Sequence, residues 1–552
     1  MYQQHRRRIT MHLLVPSLTL PQLSAVPDMD VSPFVALLLV ALLSLLLFAT
    51  RRKGSPSSRD GWRRRLPPSP PGLPLLGHLP LLGSLPHRNL RSMAASYGPV
   101  MLLRLGRVPT VVASSAAAAQ EVMKARDLAF ASRPRVRMAE RLLYGRDNMA
   151  FAPYGESWRQ ARRVCVLHLL SQRRVHSFRH AREQEAAAMV GRVRRAAGGA
   201  GAVNLNAILI SYTNGVISRA VFGDDGSYGL DGGEGEKLAN LFADFEELLG
   251  TVTVGEFVPW LAWVDTLMGL DAKVTRTAEE MGALLDRVIT EHRQRRRGNR
   301  RQEGDDHRDF VDVLLDVNEA EEEAGGVKFD NVAIKSNILV LFAAATDTTY
   351  TTLVWAMAEL VNHPHEMRRV QDEIRAAVAG SGHDDDVVTE DHLDKLRYLR
   401  RVIKETLRLH APLPLLLPHE TMEDTELLGY HVPARTRVIV NAWAIARDLA
   451  TWERADEFVP ERFADDDDDD VKTDYLLGQD FRFVPFGAGR RGCPGVGFAA
   501  PAMELALASL LYHFDWALPA GGASKVEMEE LNGLSVRLKA ILHLVAKPWY
   551  PQ

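Results

Sequence analysis

Phe486-Gly487-Ala488-Gly489-Arg490-Arg491-Gly492-Cys493-Pro494-Gly495 runs directly into an apolar, helix-like segment, and its cysteine is one of only two in the chain. Four glycines in ten residues let the backbone turn tightly and approach a flat partner with no Cβ in the way. Loop amides, the helix start that follows and Arg491 all favour a thiolate over a thiol at Cys493. Taken alone, a cysteine beside a glycine turn is more often a buried structural residue. The rest of the chain reverses that preference.

The 552 residues are 46% hydrophobic and 25% charged, enough for a large core. No linker-like composition interrupts the chain after residue 78, so one large unit is expected. A formal net charge of −3 argues against nucleic acid as a partner. Cys165 and Cys493 form neither a disulfide framework nor a zinc-type pair, which fits a reducing compartment.

Residues 331–363 contain neither proline nor glycine, and Pro364 closes the run. One helix of that length spans about 50 Å, and its apolar residues lie all round near residues 338–345, which predicts a buried central helix. Inside it stands Ala343-Ala344-Ala345-Thr346-Asp347-Thr348-Thr349. Three alanines leave room for a bulky group, and an acid followed by hydroxyls suits a proton relay. The competing reading is an N-cap that starts a second helix at Asp347.

Glu405 and Arg408 lie three apart on one helix face, and Pro460-Glu461-Arg462-Phe463 supplies a second arginine downstream. Glu405 held between Arg408 and Arg462 would fix the loop leading to Cys493, a device of geometry more than of net stability. Trp158 and Arg162 share another helix face. An activated lone thiolate suits axial ligation of haem iron. An indole N–H and a guanidinium fork suit the two haem propionates. A solvated basic helix bearing Arg159, Arg162 and Arg163 is the plainer alternative, and one face can grip haem while the other meets a redox partner.

Residues 31–50 carry no charge and just meet the roughly 20 residues needed to span a bilayer. Arg51-Arg52-Lys53 follows at once, so the positive-inside rule places everything after residue 50 in the cytosol. The flanking cations speak for a retained anchor over a cleaved signal peptide. Leu66-Pro67-Pro68-Ser69-Pro70-Pro71 reads as a stiff spacer. Met29, just ahead of the anchor, is the expected true start.

In this order the motifs resemble those of the cytochrome P450 family, in its large plant microsomal A-type group. They are WxxxR at Trp158/Arg162, an oxygen-activation helix at residues 344–349, ExxR at Glu405/Arg408, PERF at residues 460–463 and the cysteine signature at residues 486–495. The resemblance runs from about the anchor to the C-terminus. It implies a mainly α fold with small β-sheets, one large catalytic domain behind one N-terminal transmembrane helix. The divisions are a disordered extension at residues 1–30, a signal anchor at 31–50, a basic and proline-rich linker at 51–77 and the catalytic domain at 78–552.

The resemblance further implies haem b held axially by Cys493, with Trp158, Arg162, His419, Phe486 and Arg491 around it. Thr348 and Asp347 would serve proton delivery, and Glu405, Arg408 and Arg462 the scaffold. Electrons would come from NADPH through NADPH–cytochrome P450 reductase. The enzyme would insert one oxygen atom from O2 into a small lipophilic molecule (terpenoid, indolic, phenylpropanoid or fatty acid) at the endoplasmic reticulum membrane. The cavity is expected from residues 135–148, 257–263, 338–346, 412–417 and 532–536. Membrane lipid is an expected contact and nucleic acid is not. Two other readings are a reductase-independent haem-thiolate isomerase or dehydratase, which needs no Asp347–Thr348 relay, and a non-catalytic membrane haem protein.

Two residues depart from the family pattern. Ala345 stands where glycine is usual, which would tighten the space above the haem. His419 stands where an LPRE-like sequence has arginine, which would make a propionate contact pH-dependent near the histidine pKa. Asp465–Asp470 reads as a solvated insertion without a metal, and residues 293–301 as an exposed interhelical loop.

Overall fold

The computed structural model describes residues 65–199, 201–223, 233–298, 308–323, 330–379, 387–466 and 480–550. All of them belong to Arg63–Gln552, the larger of two units into which the chain divides. The expected extension, the anchor, Met29, linker residues 51–64 and most of the Asp465–Asp470 run lie outside the described residues.

The expected mainly α architecture is observed. Its axis is set by helices α1 (Glu156–Val164), α2 (Leu205–Phe222), α3 (Gly233–Leu249), α4 (Asn331–Asn362), α5 (Arg397–Leu409) and α6 (Val496–His513). α4 is the predicted central helix, unbroken at Asp347. Asp330 caps it by accepting from Ala333 N at 2.7 Å, and the chain leaves it at His363, before Pro364. α2, α5 and α6 pack around it, and one apolar cluster joins all four. α4 and α6 are long and apolar enough to cross a membrane. They are core helices instead, with 78% and 83% of their most apolar windows buried inside the protein.

Four strands, β1 (Val100–Leu105), β2 (Val108–Ala113), β3 (His419–Glu420) and β4 (Arg437–Val440), form the largest sheet in the order β1-β2-β4-β3. β2 and β4 pair parallel and the other two pairs are antiparallel. This sheet carries His419 to the edge of the site.

Two expectations need correction here. Residues 65–77 are no free spacer: Pro68 O accepts from Leu102 N at 2.8 Å, and Arg65 O accepts from His431 N at 2.8 Å. The prolines leave carbonyls available, and a strand edge and a hairpin use them. The basic run after residue 292 is helical as far as Gly298. There Arg296 pairs with Asp316 and Glu319, so carboxylates of the next helix offset the like charges.

Candidate functional site

The cysteine loop forms one wall of an internal cavity. Gly487 and Gly489 have φ of +64° and +66°. A Cβ on Gly489 would stand 2.0 Å from Met123 O, so only glycine fits there. Cys493 N donates to Phe486 O at 2.9 Å, and Gly495 N donates to Cys493 Sγ at 3.3 Å. The sulfur and the Phe486 ring thus face the cavity just ahead of α6.

Burial raises the Cys493 thiol pKa, against smaller opposite pulls from the Gly495 N–H and Arg162. Arg491, expected to help ionise the thiol, does not act on it. Its guanidinium is spent on Ala131 O (2.6 Å) and Ala152 O (2.7 Å). Burial thus opposes ionisation of Cys493 in the protein by itself, and coordination to a metal would favour it.

α4 supplies another wall through Val340, Ala343, Ala344, Thr348, Thr349 and Thr352. Ala344 is exposed although it sits within a buried helix, and Cys493 is likewise exposed in the protein interior. Both exposures open onto this cavity. Ala345 does not line it; its methyl packs on the main apolar cluster, so the departure from glycine leaves the cavity unnarrowed. Thr348 Oγ1 donates to Ala344 O at 2.7 Å, one turn back.

Asp347 lies one residue, or about 100°, round the helix from Thr348. It is fully buried, paired with Arg537, and absent from the cavity wall. Asp347 and Thr348, expected to supply protons together with bound water, share no direct hydrogen bond among the described residues.

At one end of the cavity three guanidiniums gather without a carboxylate partner among the described residues. Arg133 bonds Ala150 O, Leu417 O and Pro418 O. Arg491 leaves its Nη1 buried and unpaired. Arg162 faces the cavity and makes no hydrogen bond among the described residues. Burial, then Arg162, lowers the Arg133 pKa to about 9; burial, then Arg133 and Arg162, lowers that of Arg491 to about 8. Buried like charges of this kind are costly unless an anion joins them. A haem dianion fits: two propionates for the cations, a flat ring against Ala344 and the glycine loop, and a sulfur for iron.

Sequence reasoning missed Arg133. Its only signal is Ser132-Arg133-Pro134, which no short motif singles out.

Two expected propionate contacts change. Trp158 Nε1 already donates to Met149 O at 3.1 Å, and the indole stacks under Arg491, 4.1 Å from guanidinium carbon to ring centre. His419 is buried and bonds Phe130 O through Nδ1 at 2.9 Å. Burial, then Arg133, lowers its pKa to about 3. A neutral ring with Nδ1–H committed offers only a lone pair at Nε2, so neither a donor to a carboxylate nor a switch near pH 6.5 results.

The expected triad assembles. Glu405 accepts both Arg408 Nε (2.7 Å) and Nη2 (2.8 Å), and also Arg462 Nε (2.9 Å). Of the expected lining, Val340, Ala343, Ala344, Pro412, Leu413, Leu416, Leu417 and Leu534 contribute, while 135–148 and 257–263 do not; Leu249 and residues 149–151 do instead. Leu413, Leu416 and Leu417 face the cavity, and Leu415 turns to a different apolar cluster.

The family model for Cytochrome P450 matches residues 67–545. The chain is 42% identical to cytochrome P450 736A117 of Prunus mume, over 94% of this chain and 97% of that one. It is 45% identical to cytochrome P450 71A1 of Persea americana, over 85% and 91% respectively. It is also 41% identical to norfluorocurarine oxidase of a Strychnos species, over 94% and 99%. A zebrafish cytochrome P450 solved with abiraterone superposes with a TM-score of 0.71 at 26% identity, covering 85% of this chain and all of that one. With relatives this similar along most of its length, the same architecture and a cavity suited to haem, the chain belongs to the cytochrome P450 family and is a haem-thiolate monooxygenase of the plant type.

Proposed function

We propose that this protein hydroxylates or epoxidises a lipophilic small molecule of specialised metabolism, with electrons from NADPH delivered by a membrane-bound reductase. The observation that carries the reading is the shared opening of Cys493 and Ala344 onto one cavity whose cations lack a carboxylate partner. Bound haem would supply the oxygen chemistry, with O2, two electrons and two protons yielding oxidised substrate and water.

The chain's own residues do the rest. Cys493 offers the axial thiolate. Arg133, Arg162 and Arg491 would hold the propionates. Leu249, Leu413, Leu416, Leu417 and Leu534 present an apolar surface, which favours a lipophilic substrate. Thr348 holds water and a proton at the cavity wall.

Arg159 and Arg163 lie exposed on the outer face of α1, beside exposed Val166 and Leu167. That basic face with an apolar margin suits an acidic electron donor. Trp260, Trp263, Leu267 and Met268 are exposed along successive short helices. Such a patch supports contact with the endoplasmic reticulum membrane.

The test is turnover of a lipophilic metabolite library in reductase-containing microsomes, read by mass spectrometry. An NADPH-dependent product heavier by one oxygen is expected; a rearranged product formed without NADPH would favour the isomerase reading. Thr348→Ala should keep haem but divert reducing equivalents to peroxide, and wild-type coupling in this variant would remove Thr348 from proton supply.

Arg162→Leu separates its role from folding, because Arg162 makes no hydrogen bond among the described residues. Apoprotein stability should stay level or rise as cation repulsion is relieved. Haem loss should quicken about ten- to a hundredfold, the worth of one charge-assisted hydrogen bond. A wild-type rate of haem transfer to an acceptor protein would take Arg162 out of propionate binding.

A further inference from the structure

Next to the cavity, where α4 meets α3 and the C-terminal segment, two buried carboxylates converge on one guanidinium. Arg537 Nη2 contacts both Asp347 Oδ1 and, at 3.3 Å, Glu246 Oε2 on α3. Arg537 is held rigidly. Its neighbours Ser535 and Val536 bond Thr351 Oγ1 (2.8 Å) and Trp355 Nε1 (3.0 Å). Residues 347, 351 and 355 form one i, i+4, i+8 stripe of α4, so three successive residues of the C-terminal segment are stitched to it.

The charges here do not balance. The Asp347 side chain is 0% exposed, that of Glu246 7% and that of Arg537 35%. Two ionised acids against one cation would leave a net negative charge with little access to water. Glu246 Oε1, Asp347 Oδ2 and Arg537 Nε are all buried without a partner among the described residues, so the cluster is not saturated as a simple ion pair would be. Among the described residues, Tyr350, beside Arg537, is the further titratable group at the cluster. Lys273 is engaged with Asp244 and Glu247 on another part of α3.

We propose that Glu246 is a positioning residue that stores a proton for Asp347, the two acids sharing one proton across Arg537. This deepens the monooxygenase reading and rests on it. Glu246 is the holder because its contact with Arg537 is the longer one. Burial, then the Asp347 charge, raises its pKa to about 8 against the pull of Arg537.

Passing the proton breaks an O–H bond on Glu246 and forms one on Asp347. Arg537 stays cationic, and the cluster is neutral before and after. Asp347 is then the loaded acid next to Thr348 in sequence, and the partly exposed Arg537 side is the route of reloading. The store also adjoins the cavity. Leu249, at the end of α3, and Leu534 both line it, and a Cβ on Gly250 would stand 2.3 Å from Leu534 N.

Infrared difference spectra of the resting holoprotein, taken between about pH 6 and pH 10, provide a readout other than turnover. Wild type should lose one protonated-carboxyl C=O band with a midpoint near pH 8. Glu246→Gln should lack that band. Asp347→Asn should lack it already at neutral pH, because Glu246, left as the only carboxylate on Arg537, ionises.

Coupling of NADPH to product should fall above the midpoint in wild type and lose that pH step in Glu246→Gln, with the thiolate-type carbonyl spectrum unchanged. A band that persists in Glu246→Gln, or in Asp347→Asn at neutral pH, overturns the assignment. Should Glu246→Gln fail to fold, Asp347→Asn decides, since Arg537 keeps a carboxylate there. A wild type with the band but no NADPH-dependent product would overturn the catalytic link and the monooxygenase reading, leaving the shared proton itself standing.

Discussion

Cys493→Ser should yield a folded protein with no thiolate-type ferrous carbonyl spectrum and turnover at background. The substitution spares the loop. The backbone bond from residue 493 N to Phe486 O is untouched, and the Gly495 N–H that now meets Sγ can meet a hydroxyl oxygen. Stability should therefore stay within about 1 kcal/mol of wild type.

The chemistry does not survive. Burial already opposes ionisation of the thiol, with only the Gly495 N–H and Arg162 helping it. A serine hydroxyl is a far weaker acid in the same surroundings, so no comparable anionic ligand forms. Cys165 offers no substitute: burial raises its pKa to about 12, and it packs in the main core. An unaltered carbonyl spectrum in the variant would show that another residue ligates the iron.

Arg408→Ala should be the most damaging substitution to the fold. Arg408 and Glu405 are both 0% exposed. All five Arg408 N–H groups are used: two on Glu405, and three on Ala446 O (2.8 Å), Ala455 O (2.7 Å) and Glu457 O (3.1 Å). Truncation leaves a buried carboxylate with Arg462 as its one remaining cation and three carbonyls without donors. Breaking a buried pair in this way costs about 3–5 kcal/mol, a large part of the roughly 5–15 kcal/mol by which a domain is stable.

The same residues carry the loop toward the cysteine. Val459 N donates to Glu405 Oε1 at 2.9 Å, and Arg462 reaches Glu453 O at 2.8 Å. Soluble yield and haem content per chain should therefore fall together. Arg408→Lys should rescue only part of the loss, because an ammonium has three donors and no planar fork. A melting midpoint close to wild type for Arg408→Ala would mean that the triad contributes little to stability.

The site was legible in the sequence where its chemistry is local. Cys493 stands in a ten-residue loop whose glycines, amides and following helix are consecutive, and Glu405/Arg408 is a one-turn pair. What was misjudged depends on residues far apart in the chain. Arg133 meets Leu417 and Pro418 across 284 and 285 positions. His419 is neutral because burial and Arg133 surround it. Trp158 spends its N–H on Met149, nine residues back, where the chain folds onto α1. Periodicity carries no trace of such contacts, since it reports only which face of an element is apolar.

By itself the sequence determined the family, the thiolate loop, the length of the central helical run and the residues of the triad. These follow from residue type and short spacing: no breaker before Pro364, a one-turn acid–base pair, glycines clustered before the cysteine. Only the tertiary structure decided which way Asp347 points. The pairing with Arg537 bridges 190 positions, and it turns an acid that local order places beside Thr348 into one member of a three-residue charge cluster. Burial decides the protonation of such groups, and burial is a property of the whole fold.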